Sequence, residues 1–306
     1  MSALALPSTF RNSISSTPDA KFPPEPGRYY LCLSLACPWA HRVNIVGPPK
    51  GMESIIPLIL LDHDMGPDGW YFSDRDGTAE ADPLYGYMPL RDLYLHADPN
   101  YTGRFTVPVL WDSKTDMLVN NESAEVMRMF QAEFDDLLPE ERKGSAHPLG
   151  GYYPSDPTLR RETDGWNEWM QDAVNNGVYK TGLSGTQAAY DENVRKLFAA
   201  LDRIESPITE PDIRLFMTMI RFNVAYFMVF RCSLEMIRYG YPHTDRWMRR
   251  LYWGESERTK EQLWLTRVQY KSGYLATLLR NQGYKEVILP AGPVPEILPP
   301  VDDAEI

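Results

Sequence analysis

The 306-residue chain contains little cysteine and little histidine, and these low counts argue against disulfide-rich and metal-binding proteins. The three cysteines, Cys32, Cys37 and Cys232, are sparse and odd in number, which argues against a disulfide framework. We therefore expect a reducing compartment, the cytosol. The five histidines are scattered, and no His-x-x-x-His or Cys-x-x-Cys spacing occurs. The sequence thus disfavours a metal site.

An excess of basic residues and long apolar runs are also missing. Acidic residues outnumber basic ones by 42 to 31, and the net charge of -11 argues against nucleic-acid binding and against binding to an anionic membrane surface. No apolar run is long enough to span a bilayer, and the first residues lack the basic and apolar pattern of a secretory signal. With 43% hydrophobic and 24% charged residues, the chain can build one large domain or two ordinary ones.

A β-α-β pattern follows an extended arm over residues 1–27. The aromatic and apolar run at residues 29–34 predicts a buried strand. Pro38 is favourable in the first turn of a helix, and we expect that helix to end before the Gly-Pro-Pro at residues 47–49. Residues 54–61 predict a second strand, parallel to the first.

The remainder of the predicted α/β domain, which spans residues 28–135, follows a segment without periodicity. This segment, residues 62–103, predicts a long connection. The next strand, its hairpin partner and an amphipathic helix are predicted at residues 106–112, 118–119 and 124–130. The order β-α-β, loop, β-β-α is the thioredoxin-like arrangement.

From about residue 158 the pattern becomes helical, after a linker at residues 131–157. Helical spacing predicts helices at residues 162–174, 186–204, 211–230 and 256–279. Thr209 and Asp212 are spaced as an N-terminal capping box. The predicted fold class is therefore an α/β thioredoxin-like N-terminal domain followed by an all-α domain over residues 158–286, with an irregular tail at residues 287–306.

Cys37 lies where a predicted strand ends and a predicted helix begins. The unpaired N–H groups and the positive end of a helix stabilise a thiolate, which is the form of cysteine that attacks sulfur. The alternative is a buried structural cysteine. That alternative is the favoured interpretation of Cys32, in the middle of a strand, and of Cys232, near a helix end.

The segment SLACPWAHR at residues 34–42 resembles the active-site segment of the Xi-class glutathione transferases, also called glutathionyl-hydroquinone reductases. The resemblance extends in the same order over residues 10–293 and implies the glutathione transferase fold, a homodimer built through the helical domain, glutathione as co-substrate and no metal. The family's last helix usually carries His-Tyr-Tyr, whereas this chain has GYL at residues 273–275. The other matching segments are FRN at 10–12, GW at 69–70, ADPNYTGR at 97–104, TVPVLWD at 106–112, NES at 121–123, NGVYK at 176–180, AYD at 189–191 and DIRLF at 212–216.

The resemblance implies a catalytic Cys37 and a glutathione site. Position 40 is Ala40, so no second cysteine completes a dithiol motif and glutathione must supply the partner thiol. Val107, before a proline at the family's cis-proline position, pairs its backbone with the cysteinyl part of glutathione. Glu122 accepts from the γ-glutamyl ammonium, and Ser123 holds the γ-glutamyl carboxylate. An ordinary edge-strand proline and ordinary helix capping are the structural alternatives.

Further contacts are implied on both sides of the substrate. Arg104 is expected to pair with a glutathione carboxylate, and the alternative is a solvated arginine. Trp70 is expected to pack against glutathione, and the alternative is a core or loop-anchoring tryptophan. Tyr179 and Tyr274 bind the second substrate, an aromatic or quinone conjugate, and the alternative is that both are core tyrosines.

The implied activity is glutathione-dependent reduction of glutathionyl-hydroquinones. An Omega-like thioltransferase or dehydroascorbate reductase also uses a single active-site cysteine and is the nearest alternative. A non-catalytic glutathione-transferase-like binding module is the alternative from another class. Such a module would be expected to lose the cysteine or the glutathione-binding residues, and both sets are present here.

Overall fold

A four-stranded mixed sheet organises the first half of the chain in the computed structural model, which describes residues 8–144, 156–205, 213–254 and 291–299. The strands are β1 (Tyr29–Leu33), β2 (Leu58–Leu60), β3 (Val109–Asp112) and β4 (Met117–Asn120). Their order in the sheet is β2-β1-β3-β4. β1 is parallel to β2, whereas β3 is antiparallel to both β1 and β4. The thioredoxin-like arrangement predicted from the sequence is confirmed.

The central strands are buried because helices cover the sheet. Every residue of β3 is buried, and the side chain of Trp111 has no exposed surface. Strands that are buried on both faces have continuous apolar sequences, and for this reason the sequence predicted the central strands. The helices of this half are α1 (Pro38–Lys50), α2 (Leu90–Ala97) and α3 (Ser123–Ala132), and α1 packs against α3.

Two local predictions in this half were wrong. Helix α1 continues through residues 47–49 and ends at Lys50. The ammonium of Lys50 is buried and hydrogen-bonds to the carbonyl of Gln131 and, at 2.6 Å, to Asp135, so tertiary contacts near the end of α3 hold this last turn. Residues 62–103 are also not only a connection, because α2 lies within them and buries Leu90 and Tyr94.

The arm before β1 runs along the edge of the sheet. The backbone of Arg11 forms a bridge with Asn120, and the N–H of Asn12 donates to the carbonyl of Val119 at 3.0 Å. The arm is fixed further because Ile14 and Phe22 are buried. This arm belongs to the first of two compact units of the chain, Met1–Gly151 and Tyr152–Ile306.

The described residues of the second unit form helices and irregular segments without a strand. Asp156 caps the first helix by accepting from the N–H groups of Thr158 and Leu159, and Thr186 caps the long helix that the sequence predicted, accepting from Ala189. The helices are α4 (Pro157–Met170), α5 (Gly177–Gly182), α6 (Gln187–Ile204), α7 (Ile213–Arg221), α8 (Ile237–Gly240) and α9 (Pro242–Gly254).

The sequence missed some features of this unit. Helices α5, α8 and α9 were not predicted, and the predicted continuous helices at 162–174 and 211–230 instead end in π-helical turns at Gln171–Asn175 and Phe222–Tyr226. The predicted capping box and the predicted helix at 256–279 lie outside the described residues. Within the described ranges, no helix is both long and apolar enough to cross a membrane, and no group of three potential metal ligands occurs.

Candidate active site

The sheet topology brings four of the predicted segments to one end of the sheet. The parallel strands β1 and β2 both end there, at Leu33 and Leu60. Antiparallel β3 begins there, because Val109 is opposite Cys32, and β4 ends there, because Asn120 is opposite Leu110. The segment carrying Trp70 lies at this end as well, because the carbonyl of Tyr71 accepts from the N–H of Asp62, just beyond β2. The segments carrying Cys37, Val107 and the pair Glu122 and Ser123 follow or precede the other strand ends directly.

Cys37 immediately precedes α1 and accepts the first backbone hydrogen bond of that helix. Its carbonyl receives the N–H of His41 at 2.8 Å, and its own N–H donates to the carbonyl of Ser34 at 3.2 Å. The side chain of Cys37 is half-buried. The positive end of a helix therefore lies beside a partly accessible thiol, which is the environment that favours a reactive thiolate.

The other two cysteines are buried, unreactive thiols. Cys32 and Cys232 are almost completely buried. Burial raises the pKa of the Cys32 thiol far above its usual range and raises the pKa of Cys232 to about 12. Because the thiolate is the nucleophile, neither residue competes with Cys37 at neutral pH.

The backbone before β3 faces the thiol. The peptide bond between Val107 and Pro108 is cis, as the resemblance to the family implies. The Sγ atom of Cys37 lies 3.9 Å from the carbonyl oxygen of Val107. A ligand that pairs with the backbone of Val107 would therefore lie beside the sulfur of Cys37.

The start of α3 carries a carboxylate that takes no part in helix capping, next to a buried hydroxyl. Glu122 is the N-cap residue, yet its side chain makes no capping hydrogen bond, and its N–H donates to Oδ1 of Asn120 at 2.7 Å. Ser123 is buried, and its Oγ accepts hydrogen bonds from Nε and Nη2 of Arg42 at 2.9 and 2.6 Å. The sequence did not single out Arg42. The only signal was its place in the same helix as Cys37, five residues later.

A second unpredicted residue, Tyr94, links the two backbone segments of the site. The phenol of Tyr94 donates to the carbonyl of Thr106 at 2.7 Å and accepts from Nδ2 of Asn121 at 2.8 Å. Burial raises the pKa of Tyr94 well above its usual range, so the phenol keeps its proton and can donate. Tyr94 thereby fixes the residues immediately before Val107 and Glu122.

Trp70 and Arg104 lie on the loops at this end of the sheet. Trp70 is half-buried and follows Gly69, whose φ of +93° is a conformation that glycine adopts without strain. Arg104 is exposed and forms no ion pair in the part of the chain that the structure describes. No hydrogen bond joins either side chain to Val107 or to the start of α3 within the described residues.

Tyr179 belongs to an aromatic cluster of the second unit. Its phenol oxygen lies 3.4 Å from that of Tyr226, and its ring centroid lies 5.1 Å from that of Phe230. Tyr179 is half-buried, whereas Tyr226 and Phe230 are buried. Tyr226 sits in a π-helical turn, a feature found frequently at functional sites, and the sequence did not predict it. Tyr274 lies outside the described residues.

Comparisons with known proteins agree on one family. Residues 36–133 match the model of the glutathione S-transferase N-terminal domain. The chain is 46% identical over 260 residues to "Glutathione S-transferase omega-like 2" of Schizosaccharomyces pombe, covering 80% of each chain. It is 43% identical to "Glutathionyl-hydroquinone reductase YqjG" of Escherichia coli, covering 75% of this chain and 72% of that one.

Solved structures match over nearly the whole chain. A glutathione transferase Xi from Phanerochaete chrysosporium superimposes with a TM-score of 0.86 at 42% identity, covering 97% of this chain and 99% of the other. The glutathione-bound structure of YqjG gives a TM-score of 0.82 at 36% identity, covering 98% of both chains.

Proposed function

This chain belongs to the Xi class of the glutathione transferase family, and we propose that it reduces glutathionyl-hydroquinones to hydroquinones through a mixed disulfide between Cys37 and glutathione. The observation that carries the proposal is the position of Cys37. Its half-buried thiol lies at the start of a helix, 3.9 Å from the carbonyl of Val107, and position 40 is an alanine. A single nucleophilic thiol without a resolving partner requires an external thiol.

Glutathione binds along the backbone segment that precedes β3 in this proposal. The cysteinyl part of glutathione pairs with the backbone of Val107 as an added strand segment. Since the carbonyl of Val107 lies beside Sγ of Cys37, this pairing brings the sulfur of glutathione to the nucleophile. The domain of residues 28–135 thus supplies the glutathione site.

The ends of glutathione are held by charged groups. Glu122, whose carboxylate is not used for capping, accepts from the γ-glutamyl ammonium, and Ser123 with the N–H groups of the first turn holds the γ-glutamyl carboxylate. The exposed guanidinium of Arg104 pairs with the glycyl carboxylate. Trp70 covers glutathione from the loop after β2.

The first chemical step breaks the bond between sulfur and the aromatic carbon. The thiolate of Cys37 attacks the sulfur of the glutathionyl-hydroquinone, and a disulfide forms between Cys37 and glutathione. The aromatic carbon leaves with the electron pair and takes a proton, which yields free hydroquinone. The conjugate is reduced by two electrons, and the sulfurs are oxidised to the disulfide.

The second step restores the enzyme. The thiolate of a second glutathione attacks the glutathione sulfur of the mixed disulfide, releases oxidised glutathione and returns Cys37 as a thiolate. The net reaction consumes the conjugate and one glutathione and gives hydroquinone and oxidised glutathione.

The helical domain of residues 158–286 serves the aromatic substrate and the formation of a homodimer in this proposal. Tyr179 and Tyr274 hydrogen-bond to the quinol oxygens and stabilise the charge that develops on the leaving group. The half-buried Tyr179, with Tyr226 beside it, supports this role. The enzyme acts in the cytosol and uses no metal.

Mass spectrometry after treatment with oxidised glutathione tests the proposed nucleophile. We expect one glutathione adduct, located on Cys37 and removed by reduced glutathione. An intact protein without an adduct on Cys37, or with an adduct on Cys32 or Cys232 instead, would contradict the proposal.

An Omega-like thioltransferase activity is the second candidate, because it needs the same single cysteine. Side-by-side assays with a glutathionyl-hydroquinone and with a small glutathione mixed disulfide separate the two. A kcat/KM for the quinol conjugate that is well above that for the mixed disulfide supports the reductase, and the reverse order supports the thioltransferase.

A further inference from the structure

Arg42 and Ser123 form a buried contact between two helices at the proposed glutathione site. Nε and Nη2 of Arg42 donate to the same oxygen, Oγ of Ser123, at 2.9 and 2.6 Å. The exposed fraction is 5% for Arg42 and 3% for Ser123, so both hydrogen bonds are shielded from water. Arg42 belongs to α1, Ser123 opens α3, and the two helices pack against each other.

The two hydrogen bonds from Arg42 limit what the hydroxyl of Ser123 can bind in addition. A serine oxygen has two lone pairs and carries one hydrogen. Because the two N–H groups of Arg42 occupy both lone pairs, the hydrogen of Oγ is the remaining bonding capacity of Ser123. Ser123 is therefore fixed as a donor, and its next partner must be an acceptor. The adjacent cationic guanidinium and the positive start of α3 favour an anionic acceptor.

We propose that Arg42 is a positioning residue that fixes Ser123 as the hydrogen-bond donor to the α-carboxylate of the γ-glutamyl group of glutathione. This inference rests on the proposed function, which makes glutathione the ligand. It assigns opposite tasks to two neighbours. Ser123 donates a hydrogen bond to the α-carboxylate and cannot accept one from the ammonium. The carboxylate of Glu122 accepts from the ammonium instead.

Helix α1 gives this arrangement a fixed length. Cys37 immediately precedes the helix and Arg42 lies five residues further on, about 7.5 Å along the axis. One rigid element thus sets the spacing between the thiol that attacks sulfur and the residue that orients the γ-glutamyl end. Lysine cannot replace Arg42 in this role, because an ammonium is a point charge without the planar fork of donors.

Calorimetric titration with three thiol peptides tests the proposal. Glutathione carries both γ-glutamyl charges, 4-aminobutyryl-cysteinylglycine lacks only the α-carboxylate, and glutaryl-cysteinylglycine lacks only the amine. We expect the wild type to bind the 4-aminobutyryl peptide about tenfold or more weakly than glutathione. Arg42→Lys should bind glutathione about tenfold more weakly, yet bind the 4-aminobutyryl peptide as the wild type does.

Two further variants isolate the contact. Ser123→Ala should lose the discrimination in favour of the carboxylate in the same way as Arg42→Lys. Arg28→Lys is the matched control, because Nε and Nη2 of Arg28 donate to Asp112 at the same distances of 2.9 and 2.6 Å and Arg28 is similarly buried. Arg28 lies at the opposite end of β1 from Cys37, so this variant should keep the discrimination.

The outcomes separate this inference from the proposed function. Equal weakening of all three peptides by Arg42→Lys, or unchanged discrimination, would overturn the role of Arg42. If circular dichroism shows that Arg42→Lys does not fold, Arg42→Gln replaces it under the same criteria, and retained discrimination in Ser123→Ala alone refutes the inference. A wild type that binds none of the peptides overturns the proposed function itself.

Discussion

The sulfur of Cys37 lies 3.9 Å from the carbonyl oxygen of Val107. This contact joins the start of α1 to the backbone before β3, so the nucleophile and the backbone proposed to pair with glutathione form one unit. Because the nucleophile is a side chain and the proposed binding contact is backbone, a substitution at Cys37 removes the first and leaves the second in place.

Replacement of the nucleophile should abolish turnover and spare binding. We expect Cys37→Ser to lower kcat/KM for a glutathionyl-hydroquinone on the order of 10³-fold or more, because a hydroxyl cannot form the mixed disulfide. Glutathione affinity measured by calorimetry should persist. Cys232→Ser is the control, since its buried sulfur lies 3.8 Å from the carbonyl oxygens of Val178 and Phe230 in the second unit. Unchanged reductase activity of Cys37→Ser would refute the mechanism.

Loss of the Tyr179 phenol should affect the quinol step alone. We expect Tyr179→Phe to lower kcat for the glutathionyl-hydroquinone by about 10-fold to 100-fold, because the leaving group loses a hydrogen-bond donor. Formation of the glutathione adduct on Cys37 should proceed as in the wild type. Tyr239→Phe, at a side chain that is 72% exposed, serves as the control. A kcat equal to that of the wild type would remove Tyr179 from the mechanism.

Tyr94 should affect glutathione binding as well as stability. Tyr94→Phe leaves the carbonyl of Thr106 and the amide of Asn121 without this partner, and we expect a loss of about 1–3 kcal/mol in the free energy of unfolding. The KM for glutathione should rise because the segments before Val107 and Glu122 loosen.

Tyr29→Phe provides the comparison for that prediction. The buried Tyr29 donates to the carbonyl of Pro23 at 2.7 Å, at the other end of β1 from the site. Urea unfolding should show a similar loss of stability, but steady-state kinetics should show an unchanged KM. If both variants raise KM equally, Tyr94 has only a structural role.

Acid should weaken the buried ion pair between Arg28 and Asp112. Burial alone would raise the pKa of Asp112, but hydrogen bonds from Arg28, Thr115 and the N–H of Lys114 hold that pKa below its usual range. A lowered pKa stabilises the folded state above the ordinary value of about 4, and that stability is lost as pH falls below it.

Asp112→Asn makes this pH dependence measurable. The difference in unfolding free energy between wild type and Asp112→Asn should be constant near neutral pH and shrink below about pH 4. Glu192→Gln, which alters an exposed pair with Lys196, should show little effect at physiological salt. A difference that stays constant down to acid unfolding would contradict the assignment.

The aromatic cluster around Tyr179 depends on a glycine. A Cβ at Gly182 would lie 2.2 Å from Cδ1 and 2.7 Å from Cβ of Phe230, which packs against Tyr179. Gly182→Ala should therefore destabilise the protein by about 1–3 kcal/mol through overpacking. Gly185→Ala, with open space around the same atom, should leave thermal unfolding nearly unchanged. Equal melting temperatures for the two variants would show that the side chain of Phe230 moves aside without a loss of stability, and would contradict the prediction.

The strands and the long helix α6 could be predicted because their signals are local. The apolar run of β1 and the capping of α6 by Thr186 follow from neighbouring residues alone. The end of α1 and the existence of α2 could not be predicted in this way. Both depend on burial against distant residues, as the hydrogen bond between Lys50 and the carbonyl of Gln131 illustrates.

The sequence by itself determined the thioredoxin-like order of elements, the position of Cys37 at a helix start and the absence of a second cysteine beside it. These features can be predicted from the sequence because they depend on residue type and on short spacings along the chain. Only the tertiary structure decided which partners meet: Val107 at the thiol, Arg42 on Ser123, and Tyr94 between Thr106 and Asn121. These pairs are separated by up to 81 residues, and only strand pairing and helix packing bring them together.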